Sequence, residues 1–199
     1  DDIHRTTAAW MYDLPPELVT SDIRRHAKEV NFGVLYGMGS FGLASRLGIS
    51  RKRAKDFIEQ YFANFPRVKQ YIDEIHENAR TTGYVETMMG RRRPMPEINS
   101  RNQNIRRNAE RVATNTPIQG SAADLIKLAM IAVDRMLDDE EFDARMLMQV
   151  HDELVFEVPP DEVERLSQRL RDVMDGVWKL RVPLEVGIGY GTNWLDAHD

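Results

Sequence analysis

A chain of 199 residues, 42% hydrophobic and 30% charged, has the composition of a globular protein able to bury a core as one large domain or two small ones. It has no cysteine, which excludes disulfides and thiolate metal sites, and no apolar run approaches the roughly 20 residues of a membrane span, so a soluble, cytoplasmic protein with no membrane partner is expected. The formal net charge of -5, from 27 Lys and Arg against 32 Asp and Glu, excludes a uniformly basic coat, so any contact with a polyanion must come from local clusters.

Residues 3–12 have helical spacing, Pro15-Pro16 breaks it, and Thr20-Ser21-Asp22 supplies N-cap candidates for a second helix over about 22–36. Gly37-Met38-Gly39 ends that helix. A short helix is predicted from Phe41 to Leu47. Ile49-Ser50-Arg51 then leads into a longer one, with Ala54, Phe57, Ile58, Tyr61 and Phe62 on one face. Pro66 opens the next helix, carried by Val68, Ile72, Ile75 and Ala79 and closed by Gly83. Tyr84 to Thr87 alternates like a brief strand, and Gly90-Arg91-Arg92-Arg93-Pro94 reads as a basic turn.

Helical spacing returns over Asn102–Val112 and Ser121–Leu137, with Asn115-Thr116-Pro117 and Gly120 interrupting it. Met146–Val150 and Leu154–Val158 are strand-like runs around His151-Asp152-Glu153, which is a hairpin signal. After Pro159-Pro160 an amphipathic helix is predicted from Glu162 to Trp178, then a final strand from Val182 to Tyr190, with Trp178 and Trp194 in the core. A helical front and a mixed back predict an α+β fold divided near Asn108.

Charge is unevenly spread. Between Arg91 and Arg111 seven arginines face only Glu97 and Glu110, while Asp138-Asp139-Glu140-Glu141 with Asp143 reads as a solvated acidic loop.

Three groups of residues bear on chemistry. In the second helix Arg24, Lys28, Phe32 and Tyr36 recur every four residues, so two cations and two aromatic rings share one stripe. An anionic tail needs fixed positive charge and a planar base needs a stacking surface. Solvated cations over ordinary core aromatics would give the same pattern. Asp152, between two apolar strands, is a carboxylate placed to hold a hard cation such as Mg²⁺, or simply a polar hairpin tip. Arg111, Asn115 and Gln119 recur at the same four-residue interval and suit minor-groove acceptors common to all base pairs, although capping and solvation would also explain them.

Taken together, these motifs resemble family A DNA polymerases of the bacterial polymerase I type. The run from Arg24 to Gly37 follows that family's pattern Arg-x-x-x-Lys-x-x-x-Phe/Tyr-Gly-x-x-Tyr-Gly, Val150-His151-Asp152-Glu153 its palm hairpin, and Arg111-x-x-x-Asn115-x-x-x-Gln119-Gly120 its primer-template contacts. The resemblance implies helical fingers over residues 1–107 and the C-terminal part of an antiparallel-sheet palm over 108–199. It implies template-directed addition of dNTPs to a primer 3′ end by two-metal transfer, with Mg²⁺ as cofactor.

By resemblance, His4, Arg24 and Lys28 meet the triphosphate, and Lys28 stabilises the leaving pyrophosphate. Phe32 stacks near sugar and base, its missing hydroxyl favouring rejection of dideoxynucleotides, and Tyr36 lies near the templating base. Asp152 binds metal, Glu153 lies beside it, and His151 approaches the primer end. The family's other palm motif, an Asp-Tyr-Ser-Gln-Ile-Glu type strand, would precede Asp2-Ile3-His4. The chain is therefore expected to be a C-terminal fragment, inactive alone, whose partners are primer-template DNA, dNTPs and the upstream palm and thumb portion. A nucleotide- or DNA-binding fragment without chemistry, and a relative of single-subunit RNA polymerases, are the competing readings.

Overall fold

The computed structural model describes residues 2–198, which divide into two compact units between Ile118 and Gln119. The regular structure of the described residues consists of seven α-helices, two short 3-10 turns and two two-stranded antiparallel sheets, an α+β fold. No described helix is long and apolar enough to cross a membrane.

In the first unit, α1 (Ile3–Tyr12) begins where the Asp2 carboxylate accepts the backbone N–H groups of His4 and Arg5, and it stops at Asp13, whose φ of 52° is left-handed. The helix α2 (Ser21–Leu35) is capped by the Thr20 hydroxyl, which accepts from the Ile23 N–H. Ala8, Ala9, Val19 and Ala27 form the small-residue contact between these two helices. Val30 and Val34, one turn apart on α2, pack with Leu43 of α3 (Ser40–Leu47) and with Ala54 and Tyr61 of α4 (Arg51–Asn64). This is the face on which the sequence spacing aligns apolar residues.

Helix α5 (Pro66–Thr82) closes at Gly83, whose φ of 80° suits a residue without Cβ. Strands β1 (Tyr84–Glu86) and β2 (Arg92–Pro94) then pair, with Val85 opposite Arg93 and Glu86 opposite Arg92. The predicted basic turn is therefore shorter than its sequence suggests. Arg92 and Arg93 are strand residues, because the Thr87 hydroxyl accepts from the Met89 and Arg91 N–H groups and closes the turn before them. Val85, Met95 and Ile98 bury against Ala79, Ala109 and Ala113.

The largest departure from the sequence reading is α6 (Gln103–Asp139), one continuous helix of 37 residues where two were expected. It starts under the Asn102 side chain, which accepts from the Asn104 and Ile105 N–H groups. Pro117 removes a single intrahelical donor and Gly120 costs about 1 kcal/mol relative to alanine. Burial of Ala109 and Ala113 before the proline, and of Ala129, Val133 and Met136 after it, outweighs both.

In the second unit, β3 (Arg145–Val150) and β4 (Glu153–Glu157) form the expected hairpin, with Val150 opposite Glu153 and a bulge between Met146 and Met148. Helix α7 (Val163–Asp175) buries Leu166 and Leu170 against Val133, Met136, Leu137 and Ala144.

Three expectations fail here. The predicted strand over 182–190 has no partner among the described residues and is irregular, with Val182 and Tyr190 each 74% exposed. Strands exist by pairing, and apolar alternation cannot supply the neighbour. Trp178 and Trp194, expected in the core, are exposed, and Trp194 lies edge-on to His198. The acidic stretch is not a free loop either: α6 runs through Asp139, and Glu140 binds Arg169 at 2.6 Å, which lowers its carboxyl pKa.

Candidate nucleotide and carboxylate sites

In the first unit, α2 turns Ala27, Val30, Asn31 and Val34 inward and leaves Lys28 and Phe32 on its outer side. The stripe predicted from spacing forms. The Phe32 ring stacks on Tyr36 with centroids 6.0 Å apart and planes within 10°, and Lys28 Nζ lies 5.9 Å from the Phe32 centroid. His4, from α1, joins the same group, its ring centred 5.8 Å from that of Phe32. Phe32 remains 41% exposed, so part of its ring is open to solvent. Gly37 follows with φ of 85°, and a Cβ there would lie 3.4 Å from Arg111 Cγ, so the end of the stripe abuts Arg111 of α6.

Arg24 is engaged. Its Nε donates to Asp2 Oδ2 at 2.6 Å, which holds the Asp2 carboxyl at about 2 and raises the pKa of the guanidinium. Burial lowers the pKa of His4, the positive charges of Arg24 and Lys28 add to the effect, and Asp2 opposes it. His4 Nδ1 lies 2.9 Å from Asn31 Nδ2, and Asn31 Oδ1 accepts from the buried Thr7 hydroxyl at 3.0 Å. The result is a surface with cations at one end and stacked rings at the other, suited to an anion joined to a planar base.

In the second unit the hairpin tip carries the carboxylates. His151 sits at φ of 55°, and its carbonyl accepts from Gln149 Nε2 at 2.7 Å. Asp152 is exposed beside it. Glu153 is drawn toward the chain's end, where Oε2 lies 3.0 Å from His198 Nε2. His198 has its pKa raised, first by its hydrogen bond to the Trp194 carbonyl and then by Glu153. A hard divalent cation takes about six oxygen ligands. Asp152 and Glu153 offer suitable oxygens for part of such a set, and no group of three or more His, Asp or Glu among the described residues forms a complete one.

The third set lies along α6. Arg111 is exposed and donates to Asn108 Oδ1 at 3.0 Å, Asn115 has a buried Oδ1 without a hydrogen-bond partner among the described residues, and Gln119 is exposed. Arg111 and Asn115 stand about one turn apart on the part of α6 in the first unit, and Gln119 is the first residue of the second. Part of the basic stretch is occupied internally: Arg92 pairs with Glu86 at 2.6 Å and lies over the Tyr84 ring, and Arg93 donates to Thr116.

Sequence reasoning missed Asp2, Thr7, Asn31 and His198. Asn31 carried a signal, since it occupies an apolar position between Val30 and Val34 where an amide needs partners. His198 carried none, because its partner Glu153 is 45 residues away in the chain.

The sequence model of DNA polymerase family A matches residues 1–196, and the chain belongs to that family. DNA polymerase I of Geobacillus stearothermophilus is 53% identical over 196 residues, a match covering 98% of this chain and 22% of that protein. The thermostable DNA polymerase I of Thermus thermophilus is 50% identical over 198 residues, covering 100% of this chain and 24% of that one. Among solved structures, the POL domain of Pol1 from M. smegmatis, in complex with DNA primer-template and dNTP, superposes with a TM-score of 0.93 at 45% identity over 100% of this chain and 35% of that one. The chain spans about a fifth to a quarter of the length of these curated relatives.

Proposed function

We propose that the chain supplies the nucleotide-gripping surface and part of the metal-binding carboxylates of a DNA-directed DNA polymerase, which adds dNTPs to a primer 3′ end by two-metal nucleotidyl transfer. Residues 1–107 are assigned to the fingers and 108–199 to the C-terminal part of the palm. The observation that carries this reading is the grouping of His4, Lys28, Phe32 and Tyr36 around one exposed ring, with Arg24 a turn away.

On this reading Arg24, Lys28 and His4 hold the triphosphate, and Lys28 offsets the charge that builds on departing pyrophosphate. Phe32 stacks against the incoming nucleotide and Tyr36 lies beside the templating base. Arg111, Asn115 and Gln119 meet minor-groove acceptors of the primer-template, which tests pair shape without reading sequence. His151 positions the primer end. Asp152 and Glu153 are this chain's ligands for Mg²⁺, which when bound supplies Lewis acidity at the reacting oxygens. The remaining ligands come from an upstream palm and thumb portion of the same polymerase.

Primer extension with Mg²⁺ and all four dNTPs, with and without a separately supplied upstream palm and thumb portion, tests the reading. Extension only on complementation is the expected outcome. Extension by this chain alone would mean that another carboxylate here completes the metal site. A folded chain that neither extends on complementation nor binds Mg-dNTP would sink the proposal.

A further inference from the structure

Asn31 lies on the inward face of α2, 4% exposed, between apolar neighbours, and Thr7 opposite it on α1 is 0% exposed. Buried amides and hydroxyls are tolerated when their donors and acceptors are matched. Here the matching has a direction. The Thr7 hydroxyl has one proton and gives it to Asn31 Oδ1 at 3.0 Å, which turns the amide nitrogen toward His4. An amide nitrogen offers only protons, so His4 Nδ1 must present its lone pair across the 2.9 Å contact. In a neutral imidazole the proton then resides on Nε2. An imidazolium would set one N–H against another.

The charges around this ring do not reverse that preference. Arg24 and Lys28 disfavour a third cation, and the nearby carboxylate, Asp2, is already held by Arg24.

We propose that Thr7 and Asn31 are positioning residues that fix His4 as the neutral Nε2–H tautomer, so that His4 gives a phosphate oxygen of the incoming nucleotide a directed hydrogen bond and adds no third positive charge. The proposal rests on the reading of His4 as a triphosphate ligand and says in which form it acts. Its consequence is that His4 stays neutral to a lower pH than an ordinary histidine, because the amide nitrogen opposes the Nδ1–H that an imidazolium needs, and so adds little pH dependence of its own to nucleotide affinity near neutral pH.

The test reads the tautomer directly. In the ¹⁵N-histidine-labelled chain at neutral pH, with His4 assigned by the loss of its signals in His4→Gln, long-range ¹H–¹⁵N correlation should show a bare Nδ1 and a protonated Nε2. Thr7→Val removes the hydroxyl proton that orients the amide and should add an Nδ1–H population, which Thr7→Ser should abolish. Asn31→Asp replaces the donor with a carboxylate that accepts from Nδ1–H, and should move the His4 titration up by about one pH unit or more. In the intact polymerase the dNTP KM of wild type, taken as a ratio to that of His4→Gln so that the triphosphate's own titration cancels, should be flat near neutral pH. Asn31→Asp should make KM pH-dependent, with kcat at its optimum within about twofold of wild type, an interval of roughly half the effect of one hydrogen bond.

A protonated Nδ1 in wild type, or an Asn31→Asp variant with unshifted titration, overturns the proposal even if Thr7→Val fails to fold. The two readings fail separately: an unchanged dNTP KM in His4→Ala removes the triphosphate role, and with it the functional half of the proposal, while the spectra decide the tautomer.

Discussion

Arg24 and Asp2 are joined by a 2.6 Å contact between Nε and Oδ2, and the same carboxylate caps α1 by accepting the His4 and Arg5 N–H groups. One side chain thus orders the helix that carries His4 and holds the arginine assigned to the triphosphate. On the proposed reading, a phosphate arriving at Arg24 would meet a guanidinium already engaged by Asp2.

Asp2→Asn separates these two duties, since asparagine caps as well as aspartate but carries no charge. The Asp2 carboxyl is held at about 2, below its ordinary 3.8. A depressed carboxyl stabilises the fold above its ordinary value and loses that contribution as pH falls through the depressed one. Melting curves of wild type and Asp2→Asn should therefore differ above about pH 4 and converge toward about pH 2. Curves that differ by the same amount throughout would show that the ion pair contributes nothing to stability.

Lys28→Ala should leave the melting temperature nearly unchanged, because Lys28 is exposed and its contact with Phe32 is a surface one. In the intact polymerase it should lower kcat/KM for dNTPs by about 100-fold or more, the usual cost of removing a donor aimed at developing charge. Steady-state kinetics on single-nucleotide addition would read this directly, and full activity would remove Lys28 from the site.

Asp152→Ala should reduce primer extension in the intact polymerase to background while the protein folds as before, since the side chain is exposed at a hairpin tip. Extension assayed across a Mg²⁺ titration distinguishes lost metal affinity, which excess ion would partly restore, from a lost ligand position, which it would not. Near-normal synthesis would reassign the carboxylate.

His151 is non-glycine at φ of 55°, a conformation that costs an L residue about 1 kcal/mol. His151→Gly should relieve that strain, gain up to about 0.5 kcal/mol after the glycine's greater unfolded-state entropy, and still lose extension rate through the missing ring. His151→Ala should lose the ring and keep the strain. A glycine variant less stable than the alanine variant, measured by chemical denaturation, would show that the tip is not strained.

Local signals were legible where the chain interacts with itself over short distances. Thr20, among the candidates expected to cap α2, does so, Gly83 ends α5, and the hairpin forms around His151-Asp152-Glu153. The stripe of Arg24, Lys28, Phe32 and Tyr36 was readable because helical periodicity alone aligns residues four apart. Continuity of α6 was not readable, since Pro117 and Gly120 argue locally for a break and only burial elsewhere along the helix overrides them.

By itself, the sequence determined the order of the helices, the hairpin and the stripe of cations and aromatic rings along α2, because caps, periodicity and motif spacing act within a few residues of one another. Tertiary structure alone decided that Asp2 holds Arg24, that Thr7 and Asn31 orient His4 and that His198 draws Glu153. These contacts span 22, 24, 27 and 45 residues, and no local pattern constrains which polar groups a fold will bring within hydrogen-bonding distance. The same reason explains the irregular segment over 182–190, where alternation promised a strand and the described residues supply no partner.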